Sequence, residues 1–150
     1  MLSYEKIFSR VRNKIDDLKE LSLDEEDLYE IYNERLHSVT GNIRIRRLFS
    51  KLILNDEFQE VDWSLKNPIN GDDTEEEEFV IELLSLGMVI EWLKPKVETI
   101  INIGKAIGGK EEKVINDSHK VTIQRLHALE SQLSKMIRDH GAYYNDYLQG

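Results

Sequence analysis

Phe79-Val80-Ile81-Glu82-Leu83-Leu84-Ser85-Leu86-Gly87-Met88-Val89-Ile90-Glu91-Trp92-Leu93-Lys94-Pro95-Lys96 is the most apolar stretch of the chain, and its reading decides the fold. From Phe79 to Leu93 only Glu82, Ser85, Gly87 and Glu91 interrupt the apolar residues. A surface helix carries one apolar stripe, so a run that is apolar on most sides predicts a helix covered on most sides. Thr74 and Glu77 have the spacing of a capping box, and Glu75 to Glu78 set carboxylates at the positive end of a helix dipole. A membrane span needs roughly 20 apolar residues with few charges. This run is shorter and holds glutamates, so it predicts a core helix instead. Pro95 lacks an N–H and disfavours helix at Lys94, which predicts a kink or a restart before the rod continues through Val97, Ile100, Ile101 and Ile103. Gly108-Gly109 is the expected stop.

Working outward, the chain of 150 residues fits one helical domain, 1–150, with 40% hydrophobic and 33% charged residues. It has no cysteine, which removes disulfide, thiolate and Cys-zinc chemistry. No signal-peptide pattern is read at the N-terminus. A net charge of −9 opposes bulk binding to nucleic-acid phosphates.

Upstream, Tyr4, Ile7, Phe8, Val11, Ile15 and Leu18 recur at helical spacing and predict a first amphipathic helix. Ser22 and Glu25 form a second capping box, opening a helix with Leu28, Ile31, Leu36 and Val39 that Gly41 should stop. Residues 42–70 form an excursion in which the period changes. Ile43 and Ile45 alternate with Arg44 and Arg46, and Val61, Trp63 and Leu65 with Asp62 and Ser64, predicting a small β element with a turn near Asn55-Asp56. Leu48, Phe49 and Leu52 also fit a helical face, so a hairpin competes with a short helix plus a strand. Asn67 to Asp73 reads as a loop.

Downstream, Thr122, Leu126, Leu129, Leu133 and Met136 make a heptad seam on a last helix expected to begin near Asp117 or Ser118. Arg138, His140 and Gly141 look like its final turn and stop, leaving 142–150 as an extended C-terminal tail. The fold expected is thus mostly all-α: a bundle of four to five helices around a central buried helix kinked near a proline, with an irregular or hairpin excursion.

No constellation carries chemistry. Gly104 to Lys110 has phosphate-loop spacing, but Glu111 stands where Ser or Thr should bind magnesium and the segment follows a helix, so no nucleotide site is predicted. His37, His119, His127 and His140 show no metal-ligand spacing and read as surface or helix-end residues. Asp24 to Glu34 reads as a solvated acidic face, not a metal cluster. No catalytic residue, metal or cofactor is assigned. Two features resist a purely solvated reading. Arg44, Arg46, Arg47 and Lys51 form a basic island, and Tyr143, Tyr144, Tyr147 and Leu148 an aromatic tail. Arginine and tyrosine are enriched at interface centres, so Arg44, Arg46, Arg47, Tyr143, Tyr144, Tyr147 and Leu148 are the candidate partner contacts.

Phe49 to Glu57, the run Glu78 to Val97, the glycine-rich stop, and Arg138-Asp139-His140-Gly141 with Asn145-Asp146-Tyr147-Leu148 together resemble small structural proteins of the tailed-bacteriophage neck, the head–tail connectors. The resemblance implies a non-enzymatic helical adaptor located in the virion and made in the host cytoplasm. It implies docking to the portal protein, a homo-oligomeric ring (a dodecamer), and contact with the next neck ring or tail protein. DNA would pass through the channel without sequence-specific binding, and no membrane is involved. Two rivals are a small helical regulatory or partner-binding module, monomeric or dimeric, and a hydrolase with a composite site.

Overall fold

The computed structural model describes residues 1–15, 20, 22–67 and 73–140, and the helical backbone of 141–149. In chain order, β1 (Leu2–Ser3) leads into α1 (Tyr4–Lys14), α2 (Glu25–Gly41) and a single turn, α3 (Ile43–Arg46). The hairpin β2 (Phe49–Asn55) and β3 (Glu60–Leu65) follows, then α4 (Asp73–Ile107), α5 (Gly109–Ser118) and α6 (Lys120–Gln149). The fold is mostly helical with a small sheet, as the patterning predicts.

α4 is the axis. α1, α2, α5 and α6 each pack against it, and Val80, Leu83, Leu84, Leu86, Met88 and Val89 are wholly buried. Its charged interruption, Glu82, faces α1, where it pairs with Lys14 and accepts from Arg10 Nη1 at 3.2 Å. Burial pushes the Glu82 carboxyl up, but the Lys14 ammonium and Arg10 guanidinium outweigh it and hold the group below its ordinary value. A partly buried charge in the central helix is thereby matched. Gly87 has a packing reason too: a Cβ there would lie 2.7 Å from Val39 Cγ1, so its absence lets α2 and α4 approach.

The rod does not restart at Pro95. The helix is continuous from Asp73 to Ile107, about 52 Å at 1.5 Å per residue. Proline costs it one donor to the carbonyl four residues back. The cap expected at Thr74 is displaced, since Thr74 lies inside the helix and residue 72, where a cap would sit, is outside the described residues. The stop is at Gly108, with φ 73°, followed by Gly109 with φ 62°.

Other boundaries also move. α2 is capped by Asp24, which accepts from the Asp27 N–H at 2.8 Å, and not by Ser22. Gly41 is the last helical residue and has no positive φ, so the helix ends at Asn42. Asn42 in turn caps α3 by accepting from the Arg44 N–H at 2.9 Å. α1 ends at Lys14, and the part of the first helix expected at residues 16–18 lies outside the described residues.

The excursion contains both competing forms with their places exchanged. Ile43–Arg46, read as alternating strand, is a helical turn that buries Ile45; Phe49 and Leu52, read as a helical face, are in β2. The sheet order is β1-β3-β2, all antiparallel, with Leu2 opposite Val61 and Leu52 opposite Trp63. The hairpin is therefore not a free protrusion. β1 ties it to α1, and Leu2, Val61 and Leu65 enter the same core as α4.

α6 runs back along α4. Trp92 near the middle of α4 meets Arg125, and Phe79 near its start meets His140, so the two helices are antiparallel. Leu126 is buried, and Leu129, Leu133 and Met136 are half-buried, as the seam predicts. Here one element is additional and one expectation fails. The segment 109–118 is helix α5, although it buries no residue. Gly141 does not stop α6, which continues to Gln149, so 142–149 is helical backbone and not an extended tail. Glycine inside a helix costs about 1 kcal/mol and does not by itself break one.

Candidate functional site

Two of the open clefts among the described residues are lined by charged side chains. The first lies between α1 and the start of α4, about 420 Å³, and is lined by charges that satisfy one another. Lys6 Nζ is 3.1 Å from Glu77, and Arg10 Nη1 is 3.0 Å from Glu78. Its chemistry is internal neutralisation, with α1 cations set against the acidic first turns of α4.

The second cleft, about 440 Å³, lies between α3 and α6 and is lined by Arg44, Glu130, Ser131, Ser134 and Arg138. Glu130, Ser134 and Arg138 recur at four-residue spacing, which puts them on one face of α6. Asn42 positions the opposite wall: by capping α3 it fixes the single turn that carries Arg44. Both terminal nitrogens of Arg44 reach Ser134 Oγ, each at 3.4 Å, which is long for a hydrogen bond. Neither arginine has a carboxylate within ion-pair distance among the described residues, although Glu130 lines the same cleft.

The basic island is thus divided by the fold. Arg44 faces the cleft, whereas Arg46 donates from Nε to the Thr40 carbonyl at 3.0 Å and helps close the α2 terminus. Arg47 is exposed at the end of α3. Lys51 pairs with Asp62 across the hairpin. Sequence reasoning missed Ser134 as a partner of Arg44, and Ser131 and Arg138 as further residues lining its cleft. The signal was present as the Glu130/Ser134/Arg138 spacing, but nothing local linked it to α3. Tyr143, Tyr144, Tyr147 and Leu148 lie on the helical backbone of α6, and their side chains are outside what the structure describes.

No family model, curated protein or solved structure matches this chain. The chemistry must therefore be argued from its own residues. No group of three or more His, Cys, Asp or Glu among the described residues is placed to hold a metal ion. The acidic N-terminal face of α2 forms no such group. No helix among the described residues is long and apolar enough to cross a membrane.

The histidines divide as well. His37 is exposed and paired with Asp56 at 2.9 Å, and His119 and His127 are exposed. His140 is not a surface group. It is 6% exposed and stacked on Phe79 with ring centroids 4.9 Å apart, because the antiparallel run of α6 brings it back against the start of α4. Burial lowers its pKa below 6.5, a shift that Glu76 partly opposes. The Gly104 to Lys110 segment spans the end of α4, Gly108 and the start of α5, a helix-to-helix turn and not the strand-to-helix loop that cradles phosphate.

Proposed function

We propose that this chain is a non-enzymatic structural adaptor of a tailed-phage neck, a head–tail connector that docks to a portal protein and assembles there as a ring around the DNA channel. The single observation that carries the reading is the sequence resemblance through Phe49–Glu57, Glu78–Val97 and Arg138–Leu148. The architecture is compatible with it. Two long antiparallel helices, α4 and α6, make a stiff spine, and the cleft at α3 presents arginines without a carboxylate partner among the described residues. A net charge of −9 around a channel would repel DNA phosphates and keep the duplex sliding.

The covering of the core supports assembly on the portal and not before it. The apolar run of α4 is covered by the chain's own helices, so that run does not itself demand a permanent partner. One observation favours the alternative of a small regulatory or partner-binding module. Ile103 and Ile107, one turn apart on α4, are each 49% exposed, a surface that a monomeric or dimeric binder would use.

Electron microscopy of portal-bearing particles, with the chain carrying a label, tests the two readings. The adaptor reading expects label at the neck and a monomer in dilute purified protein. Absence from such particles, with a monomer or dimer bound to some other protein, would establish the module instead.

A further inference from the structure

Six of the described cations are paired with carboxylates. Lys6, Arg10 and Lys14 of α1 meet carboxylates of α4, Arg12 meets Glu5, Arg35 meets Glu20 and Lys51 meets Asp62. Arg44 and Arg138 have no carboxylate partner among the described residues, and they line one cleft of about 440 Å³. A guanidinium has five N–H donors, and those of Arg44 are engaged only by two long contacts to a serine hydroxyl. Ser134 Oγ can accept from Arg44 and still donate its own hydrogen into the cleft. Ser131 offers a second hydroxyl on the same helix.

We infer that the cleft between α3 and α6 binds a carboxylate of a partner protein, an Asp or Glu side chain clamped between the Arg44 and Arg138 guanidiniums. The inference rests on the docking reading above and gives that contact its chemistry. The planar fork of a guanidinium matches a carboxylate through two parallel N–H···O bonds, and Ser134 supplies a neutral donor. With Glu130 on the same wall, the charged side chains lining the cleft sum to +1, which one carboxylate neutralises and a phosphate dianion would overturn to −1. Nucleic acid is disfavoured further, because the whole chain at −9 repels a dense row of phosphates before any local contact forms.

The test uses the full chain labelled with nitrogen-15, following the arginine Nε–Hε resonances as sodium acetate, inorganic phosphate or a short DNA duplex is added, with sodium chloride as the ionic-strength control. Acetate should shift the Arg44 and Arg138 signals along saturating curves with a common millimolar midpoint, while chloride gives small linear shifts. Arg44→Gln should abolish saturation at Arg138, and Arg138→Gln should abolish it at Arg44. Both residues are exposed, so both variants should keep the wild-type melting temperature. Acetate curves no different from chloride, saturation at one arginine that survives loss of the other, or tighter saturation by phosphate or by the duplex would each overturn the inference. In portal-bearing particles each variant should be incorporated at least about fivefold less than wild type, as truncating one member of a paired charge requires. Normal incorporation of both variants overturns the clamp and leaves the adaptor reading intact. Acetate saturation in a chain absent from such particles overturns the adaptor reading and leaves the cleft's carboxylate chemistry intact.

Discussion

His37 Nε2 lies 2.9 Å from Asp56 Oδ2, joining the middle of α2 to the turn of the β2–β3 hairpin across 19 residues of sequence. Tyr4 Oη donates to Oδ1 of the same carboxylate at 2.6 Å, so one side chain in a hairpin turn holds both α1 and α2. The Tyr4 hydrogen bond is the main reason the Asp56 carboxyl sits below its ordinary 3.8, with burial opposing it and His37 adding to it. Burial and the Asp56 carboxylate together raise the Tyr4 hydroxyl's pKa, so Tyr4 stays protonated as a donor.

Asp56→Asn should therefore loosen the hairpin from the helices. The expected cost at neutral pH is about 1 kcal/mol, the net worth of an intramolecular hydrogen bond, read from the urea midpoint. As pH falls the unfolded chain takes up the Asp56 proton first, near 3.8, while the folded chain resists, so wild-type stability declines through that window. The variant's acid limb should be shallower. An unchanged midpoint and acid limb would show that the Tyr4 and His37 contacts contribute nothing to stability.

His140 gives a pH dependence in a different range. Its folded-state pKa is lowered by burial, so between 6.5 and that lower value the unfolded state binds more protons and stability falls with falling pH. Above 6.5 the contribution is fully present. The melting temperature should drop between neutral and mildly acidic pH, and His140→Gln should flatten that part of the curve while leaving the carboxylate limb below it. Equal slopes in variant and wild type would remove His140 as the cause.

Trp92 is 7% exposed in the α4–α6 seam, with the Arg125 guanidinium 5.5 Å and Lys96 Nζ 5.4 Å from its ring centre. Trp92→Ala should destabilise the fold by about 3–5 kcal/mol, the range for truncating a buried large aromatic. Arg125→Ala should cost about 1 kcal/mol, and a double-mutant cycle should show coupling, since both changes remove the same cation–π contact. Wild-type stability in Trp92→Ala would move this residue out of the core.

Gly87→Ala weighs two effects at one site. Alanine gains about 1 kcal/mol of helix propensity. The new Cβ meets Val39 Cγ1 at 2.7 Å, and a β-branched side chain in a helix has almost one rotamer with which to yield. Overpacking costs about 1–3 kcal/mol, so the balance should be a net loss. Val39→Ala should recover stability in the Gly87→Ala background but lose it in wild type. The same sign in both backgrounds would mean that the helices separate without strain.

Deleting residues 143–150 tests the aromatic segment. If Tyr143, Tyr144, Tyr147 and Leu148 serve as partner contacts, the deletion should shift the melting temperature by less than about 4 °C, equivalent to about 1 kcal/mol at this length. Under the adaptor reading, incorporation into portal-bearing particles should fall. A large loss of stability, or full incorporation, would assign the segment to the fold or to no contact.

By itself the sequence determined the mostly helical class and the central place of α4. A helix buried on all sides must be apolar on all sides, so Phe79 to Leu93 shows its burial in composition alone, and the seam of α6 shows its apolar face by spacing. Gly108 was legible for the same local reason, because a left-handed φ favours glycine. Tertiary structure alone decided what depends on partners distant in sequence. β1 is two residues long and has no period to read; its pairing with β3 makes it a strand. Ile43–Arg46 and Phe49–Asn55 carry patterns that suit either form at such short length, and burial of Ile45 and pairing with β3 chose between them. α5 buries nothing, so it has no apolar face to announce it. Arg44 and Ser134 are 90 residues apart, and only the return of α6 along α4 brings them together. Local composition records how much of a residue is covered, whereas which residue covers it is settled by how the helices pack.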